Sequence, residues 1–195
     1  MTSPLPIAVL GSGRGSNFQA LALAAAAGSL PVRFTLVGSD LAHAPILAHA
    51  RSLGLPTYTC PPSRFKTKLE PEIESALARA IQDSGARLLV LAGYMRVLKA
   101  PLLEAFPGRI LNIHPSLLPA FKGLAAWKQA LDAGVSETGC TVHWVDASLD
   151  GGPIIAQERV PVLPGDTPES LHARIQEAEH RLLPQVLRDL AATGF

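Results

Sequence analysis

The sequence predicts an α/β protein with a doubly wound, mainly parallel sheet and an antiparallel extension toward its C-terminus. Three observations carry that prediction. Short apolar runs alternate with helical patterns through the first half of the chain. Glycine or proline closes most of those runs. Later in the chain, two segments instead alternate apolar and polar residues, as half-buried antiparallel strands do.

Ile7–Leu10 (IAVL) reads as a buried strand, followed by a glycine-rich turn and a helix through roughly Ala27. Val32–Val37 is a second strand, ending at Gly38-Ser39-Asp40. Ala44–Leu53 reads as a helix closed by Gly54 and Pro56, and Pro71–Ser84 as another closed by Gly85. Arg87–Ala92 (RLLVLA) is a central strand ended by Gly93, and Arg109–Ile113 (RILNI) is the next, cut by Pro115. A helix over Leu124–Ala133 precedes the alternating strands Thr138–Val145 and Ile154–Val160. The segment between them, Asp146–Pro153 (DASLDGGP), is long for a hairpin turn. A last helix spans about Pro168–Leu190, capped by Asp166 or Thr167 and expected to kink at Pro184.

A length of 195 residues with 48% apolar content suits one compact domain. The 17 basic and 16 acidic residues leave a net charge of +1, so no general field draws the chain to nucleic acid or membrane. Anion binding must therefore be local. Cys60 and Cys140 are too few for a disulfide framework and read as thiols of a reducing, cytoplasmic compartment. Met1–Pro6 lacks the basic and apolar regions of a secretion signal, and Leu21–Ala27 is too short to span a bilayer.

In a doubly wound sheet, ligands sit beyond the carboxyl ends of the strands, near a switch in strand order. Three unusual loops follow strand ends here: Gly11–Asn17, Gly93–Arg96 and His114–Pro119. The first, GSGRGSN, lies between a strand and a helix. Its glycines let backbone approach an anion, and the helix N-terminus offers unpaired N–H groups. Ser16 stands where a dinucleotide fingerprint needs glycine, and no Gly-Lys-Ser/Thr is present, so a monophosphate fits better than a pyrophosphate. The same string also fits a plain turn capped by Ser16 or Asn17.

Asn112 and His114 are two apart at a strand end, so both side chains share one face. An amide beside an imidazole can donate hydrogen bonds to one developing oxyanion. Asp150 lies in the DASLDGGP loop, where Gly151 and Gly152 permit a sharp excursion; a carboxylate beside the imidazole favours its charged form. Taken alone, these residues also fit a strand-end turn and ordinary Asp-Gly turn chemistry. His114, His143 and Asp150 have no recognised metal-ligand spacing, and no Gly-x-Ser-x-Gly elbow occurs.

NIHPSLLPAFKG (Asn112–Gly123), with GSGRGSN upstream and LDGGPI (Leu149–Ile154) downstream, resembles the phosphoribosylglycinamide formyltransferase family. The similarity extends through LAGYMRVL (Leu91–Leu98) and RIQEAEHRLLP (Arg174–Pro184). It implies the formyltransferase fold with a Rossmann-like N-terminal half, as one domain over residues 1–195. The N-terminal half would bind phosphate, and the C-terminal half would bind folate and hold the catalytic groups. The implied reaction moves a formyl group from 10-formyltetrahydrofolate to the amine of glycinamide ribonucleotide, in purine (IMP) biosynthesis. The implied partners are these small molecules, with no metal, nucleic acid or membrane, in a monomer or homodimer.

Carried over residue by residue, Asn112, His114 and Asp150 would be catalytic. Gly15, Ser16 and Asn17 would hold the substrate phosphate, with Gln176 and Glu179 near the ribose phosphate. Lys68, Tyr94, Met95, Arg96, Val97, Leu98 and Asn112 would line the folate site, closed by Asp146, Ala147, Ser148, Leu149 and Asp150. Thr141 and His143 match strand positions close by. Two features depart from the family pattern. Lys68 replaces an arginine fork with a point charge, and after Gly123 the chain reads LAAWKQAL, with Trp127 and alanines, where relatives carry a histidine or asparagine among these positions. A formyltetrahydrofolate deformylase shares the same trio but carries an extra N-terminal domain, for which the early first strand leaves no room. A non-catalytic nucleotide-binding module is the reading from another class.

Overall fold

The structure is a computed structural model describing residues 3–195. Met1 and Thr2, part of the stretch read above for a secretion signal and of the expected domain, lie outside the described residues. In chain order the elements are β1 (Leu5–Leu10), α1 (Ser16–Ala26), β2 (Val32–Ser39), α2 (Pro45–Ser52), β3 (Thr57–Thr59), α3 (Pro71–Asp83) and β4 (Leu88–Leu91). They continue with α4 (Ala100–Ala105), β5 (Ile110–His114), α5 (Ala126–Asp132), β6 (Glu137–Trp144), β7 (Ile154–Pro161) and α6 (Pro168–Ala192).

The strands form one seven-stranded sheet in the order β3-β2-β1-β4-β5-β6-β7. β1 to β5 pair in parallel; β6 pairs antiparallel with β5, and β7 with β6. The strand order reverses between β1 and β4, which opens a crevice at their carboxyl ends. Alternation along β1 sends Ile7 and Val9 to one core and Ala8 and Leu10 to the other. The first core packs α1, α2 and α6 against the sheet through Phe18, Ile46, Ile175 and Leu187. The second packs α3 and α4 through Leu77, Ile81 and Leu102. Each of these side chains is fully buried, which stabilises the fold by about 1.5–3 kcal/mol apiece. Phe18 also meets Phe34 edge to face at 5.4 Å.

The structure adds two elements to the sequence-based expectation, β3 and α4, and trims one. Leu124 and Ala125 are not helical; Ala125 takes a left-handed conformation (φ 52°) as the N-cap of α5. α6 runs unbroken through the buried Pro184. Its N-cap is Thr167, in a reciprocal capping box with Ser170, while Asp166 accepts from Ser170 Oγ. Among the described residues, no helix is long and apolar enough to cross a membrane.

Candidate active site

A cleft of about 540 Å³ opens beyond the carboxyl ends of β1, β4 and β5. The three unusual loops all reach it: Gly13–Asn17 after β1, Gly93–Val97 after β4, and His114–Pro115 at the end of β5. Helix α6 adds His172, Gln176 and Glu179, and the β6–β7 loop adds Asp146, Ser148, Leu149 and Asp150.

Near the middle of the cleft, Asn112, His114, His143 and Asp150 come together. Register explains the first three. On β5, Leu111 and Ile113 point into one core, which leaves Asn112 and His114 on the opposite face. Asn112 is paired across the ladder with His143 of β6. Asp150 arrives from the loop in a left-handed conformation (φ 45°) and accepts a hydrogen bond from the Gly123 amide at 2.8 Å. Gly152 is required nearby, because a Cβ there would collide with the Trp144 carbonyl oxygen.

The hydrogen bonds fix the ring tautomers. His114 Nε2 lies 2.9 Å from the Phe121 carbonyl oxygen, which can only accept, so Nε2 carries a proton. His114 Nδ1 then faces Asp150 Oδ2 at 3.6 Å. His143 Nδ1 donates to the Trp144 carbonyl at 2.8 Å, so its Nε2 accepts from Asn112 Nδ2 at 3.1 Å. Burial pushes the His143 pKa below its ordinary value, in keeping with a neutral ring. His143 thereby fixes the Asn112 amide and leaves one Nδ2 hydrogen free for a ligand. Asp150 Oδ1 lies 3.9 Å from His143 Nε2. Since that nitrogen is already engaged, the trio is not an open ligand set; among the described residues no group is spaced to hold a metal.

At the other end of the cleft, α1 begins at Gly15 in the left-handed region (φ 76°), with no side-chain cap. The alternative of a turn capped by Ser16 or Asn17 is not what forms. The first-turn N–H groups are left for an anion. Asn17 Nδ2 donates instead to Glu179 Oε2 at 2.8 Å.

The formyl transferase family model matches residues 5–187. A phosphoribosylglycinamide formyltransferase from Haemophilus influenzae is 39% identical over 182 residues, 93% of this chain and 85% of that protein. The chain belongs to the formyl transferase family. Glycinamide ribonucleotide transformylase 1 from Symbiobacterium toebii shares the fold with a TM-score of 0.93 at 47% identity, covering 99% of this chain and 90% of that one. The trifunctional purine biosynthetic protein adenosine-3 from Gallus gallus is 43% identical over 99% of this chain, which spans only 19% of that longer protein.

Most residues that the formyl transferase resemblance implied lie on the cleft, but three do not. Tyr94, Met95, Arg96, Val97 and Leu98 line it, as do Gln176, Glu179, Gly15, Ser16 and Asn17. Lys68 does not; its ammonium sits 4.6 Å from the centre of the Phe65 ring. Ala147 is exposed on the loop without reaching the cleft, and Thr141 is buried, bonded to the Ser116 carbonyl and the Leu118 amide. The Arg96 guanidinium is also turned aside. Its Nε pairs with Asp40 Oδ2 at 2.5 Å, and Ser12 Oγ bridges Asp40 to the Met95 amide. Asp40 thereby braces this segment. Burial holds the Cys60 and Cys140 thiols up at about 12, which keeps them out of the nucleophilic thiolate form near neutral pH. Sequence reasoning did not single out Arg14 or His172, both of which line the cleft.

Glu179 carries a prediction. Burial raises its pKa from 4.5 to about 7, opposed by the Asn17 hydrogen bond. A folded pKa above the unfolded one means stability is highest below about pH 4.5 and falls as pH rises through 7. The loss is on the order of 3 kcal/mol once ionisation is complete. Glu179→Gln keeps an acceptor for Asn17 and removes that loss. Its Tm should exceed the wild-type value by about 6–12 °C at pH 8 and match it near pH 4.5. Equal Tm differences at both pH values would contradict a buried ionisation.

Proposed function

We propose that this chain transfers the formyl group of 10-formyltetrahydrofolate to the amine of glycinamide ribonucleotide, N1-(5-phospho-D-ribosyl)glycinamide. The observation that carries the reading is the convergence of Asn112, His114 and Asp150 in a cleft whose far end is an uncapped helix N-terminus. The relatives from Haemophilus influenzae and Symbiobacterium toebii, a phosphoribosylglycinamide formyltransferase and a glycinamide ribonucleotide transformylase, support the same formyl acceptor. In this reading the chain is one catalytic unit. Its N-terminal half holds the phosphate, and its C-terminal half supplies the catalytic trio.

The formyl donor is already activated, so no covalent enzyme intermediate is needed. The glycinamide nitrogen attacks the formyl carbon, a new C–N bond forms, and the carbonyl oxygen becomes an oxyanion. The free Asn112 Nδ2 hydrogen and a protonated His114 Nδ1 donate to that oxygen. Asp150 stabilises the positive charge on the ring and helps relay the amine proton to the folate nitrogen as the old C–N bond breaks. Met95–Leu98 and the Asp146–Asp150 loop flank the folate.

Tetrahydrofolate absorbance, with and without glycinamide ribonucleotide, tests the reaction. Product only with the amine present is the expected result. Product regardless would make the chain a hydrolase, and no product would leave it a binding module. The phosphate end has its own test, Gly15→Val. A Cβ at Gly15 would lie 2.8 Å from Ile46 Cβ, and φ 76° disfavours a β-branched side chain. This variant should raise KM for the ribonucleotide by ~10-fold or more, with a smaller effect on the folate KM. Equal effects on both would argue against a phosphate role.

A further inference from the structure

The charges along the cleft are unevenly used. Arg14 and Arg96 are the lysine or arginine residues lining it. Arg96 is half-buried, paired with Asp40 and bonded to the Phe65 carbonyl, so its charge is already engaged. Among the described residues, Arg14 makes no hydrogen bond or ion pair. It stands exposed at the tip of the glycine-rich loop, beside Gly15 and the open N-terminus of α1. The carboxylate on that side, Glu179, is tied to Asn17 and opposes any incoming anion when ionised. Backbone dipoles alone are weak compensation for a dianion.

A second feature lines the same cleft. Trp127 of α5 and His172 of α6 are stacked face to face, with ring centroids 3.7 Å apart and planes within 1°. Both rings line the cleft. The stack immobilises the imidazole without occupying its in-plane nitrogens, which have no hydrogen-bond partner among the described residues. Trp127 is also the departure noted in LAAWKQAL, so the stack gives that segment a task.

We propose that Arg14, together with His172 held flat on Trp127, forms a cationic clamp that receives the phosphate monoester of the substrate. The clamp rests on the reading of the substrate as a ribonucleotide. Arg14 and His172 line the same cleft; burial, and after it the Arg14 charge, hold the His172 pKa below its ordinary value. A phosphate lying between them relieves that repulsion and accepts from both. Arg14 supplies a planar fork for two phosphate oxygens, and His172 an N–H. The clamp makes phosphate recognition depend on two side chains added to the backbone cradle.

Two measurements on the purified full chain test this. The first titrates ribose 5-phosphate and, separately, inorganic phosphate, with tryptophan emission as the readout. Arg14→Ala should weaken ribose 5-phosphate binding by ~10–100-fold, the range of a lost charge-assisted contact. Arg14→Lys should recover most of it, and His172→Ala should cost several-fold. A ribose 5-phosphate affinity in Arg14→Ala within twofold of wild type overturns the clamp. Inorganic phosphate should bind more weakly than ribose 5-phosphate, yet lose affinity in the same variants; indifference to Arg14 would overturn the proposal.

The second measurement compares glycinamide ribonucleotide with glycinamide riboside, which lacks the phosphate. Arg14→Ala should raise KM for the ribonucleotide while leaving kcat, the folate KM and riboside turnover near wild type. A matching loss on the riboside would make Arg14 merely structural and overturn the proposal. If wild type binds ribose 5-phosphate in an Arg14-dependent way but forms no tetrahydrofolate with the ribonucleotide, the reaction assignment fails and the clamp stands.

Discussion

Replacing Asn112 or His114 with alanine is expected to lower kcat by ~10²–10³-fold while leaving the fold intact. Both side chains lie on one face of β5 and line the same cleft, where in the proposed reaction the formyl oxygen would gain charge. Each is held by a hydrogen bond that does not use its ligand-facing hydrogen. Asn112 gives one Nδ2 hydrogen to His143, and His114 gives Nε2–H to the Phe121 carbonyl. The fold tolerates the losses because neither bond belongs to the β5 ladder. Without His114, the Phe121 carbonyl keeps Ser116 Oγ at 3.3 Å. Without Asn112, His143 keeps its bond to the Trp144 carbonyl. Because both donors serve one oxyanion, the double variant should lose less than the product of the single losses. Single-turnover rates and Tm measured side by side decide it. A purified variant with near-normal turnover removes that residue from the oxyanion site.

Much of this was legible in the chain because it rests on periodicity. Buried runs such as Ile7–Leu10 and Leu88–Leu91 announce central strands, and Asn112 and His114 share a face simply because they are two apart. What stayed hidden is short or non-local. β3 is three half-buried residues, Thr57–Thr59, and α4 is six, so neither shows a period. The left-handed Ala125 that delays α5 defies propensity, since alanine disfavours that conformation. The Arg96–Asp40 pair joins residues 56 apart, and no local pattern signals that a cleft arginine will turn away from the cleft. Lys68 is a similar case: its charge suggests a ligand, but Phe65 three positions earlier offers a nearer partner. Asp150 was readable only through the glycines after it and the family resemblance. Arg14 sat in plain view inside GSGRGSN, but that it has no hydrogen-bond or ion-pair partner among the described residues is visible only in three dimensions.

Asp150→Asn is expected to reduce kcat by ~10²-fold or more, and a comparison with Asp150→Ala separates its two roles. The carboxylate faces His114 Nδ1 at 3.6 Å, where its charge can stabilise an imidazolium. It also accepts from the Gly123 amide and so ties the β6–β7 loop to the segment before α5. Asparagine keeps an acceptor for Gly123 and tolerates the left-handed backbone at φ 45° better than most residues. Its Tm should therefore stay near wild type while turnover falls. Alanine loses the Gly123 bond as well and sits less easily at positive φ, a combined cost of about 2 kcal/mol and a Tm drop of roughly 4–8 °C. If charge is what matters, both variants lose similar turnover although only one loses stability. If turnover instead follows Tm, so that Asp150→Asn works nearly as well as wild type, the carboxylate merely holds a loop and the imidazolium must be stabilised by another group.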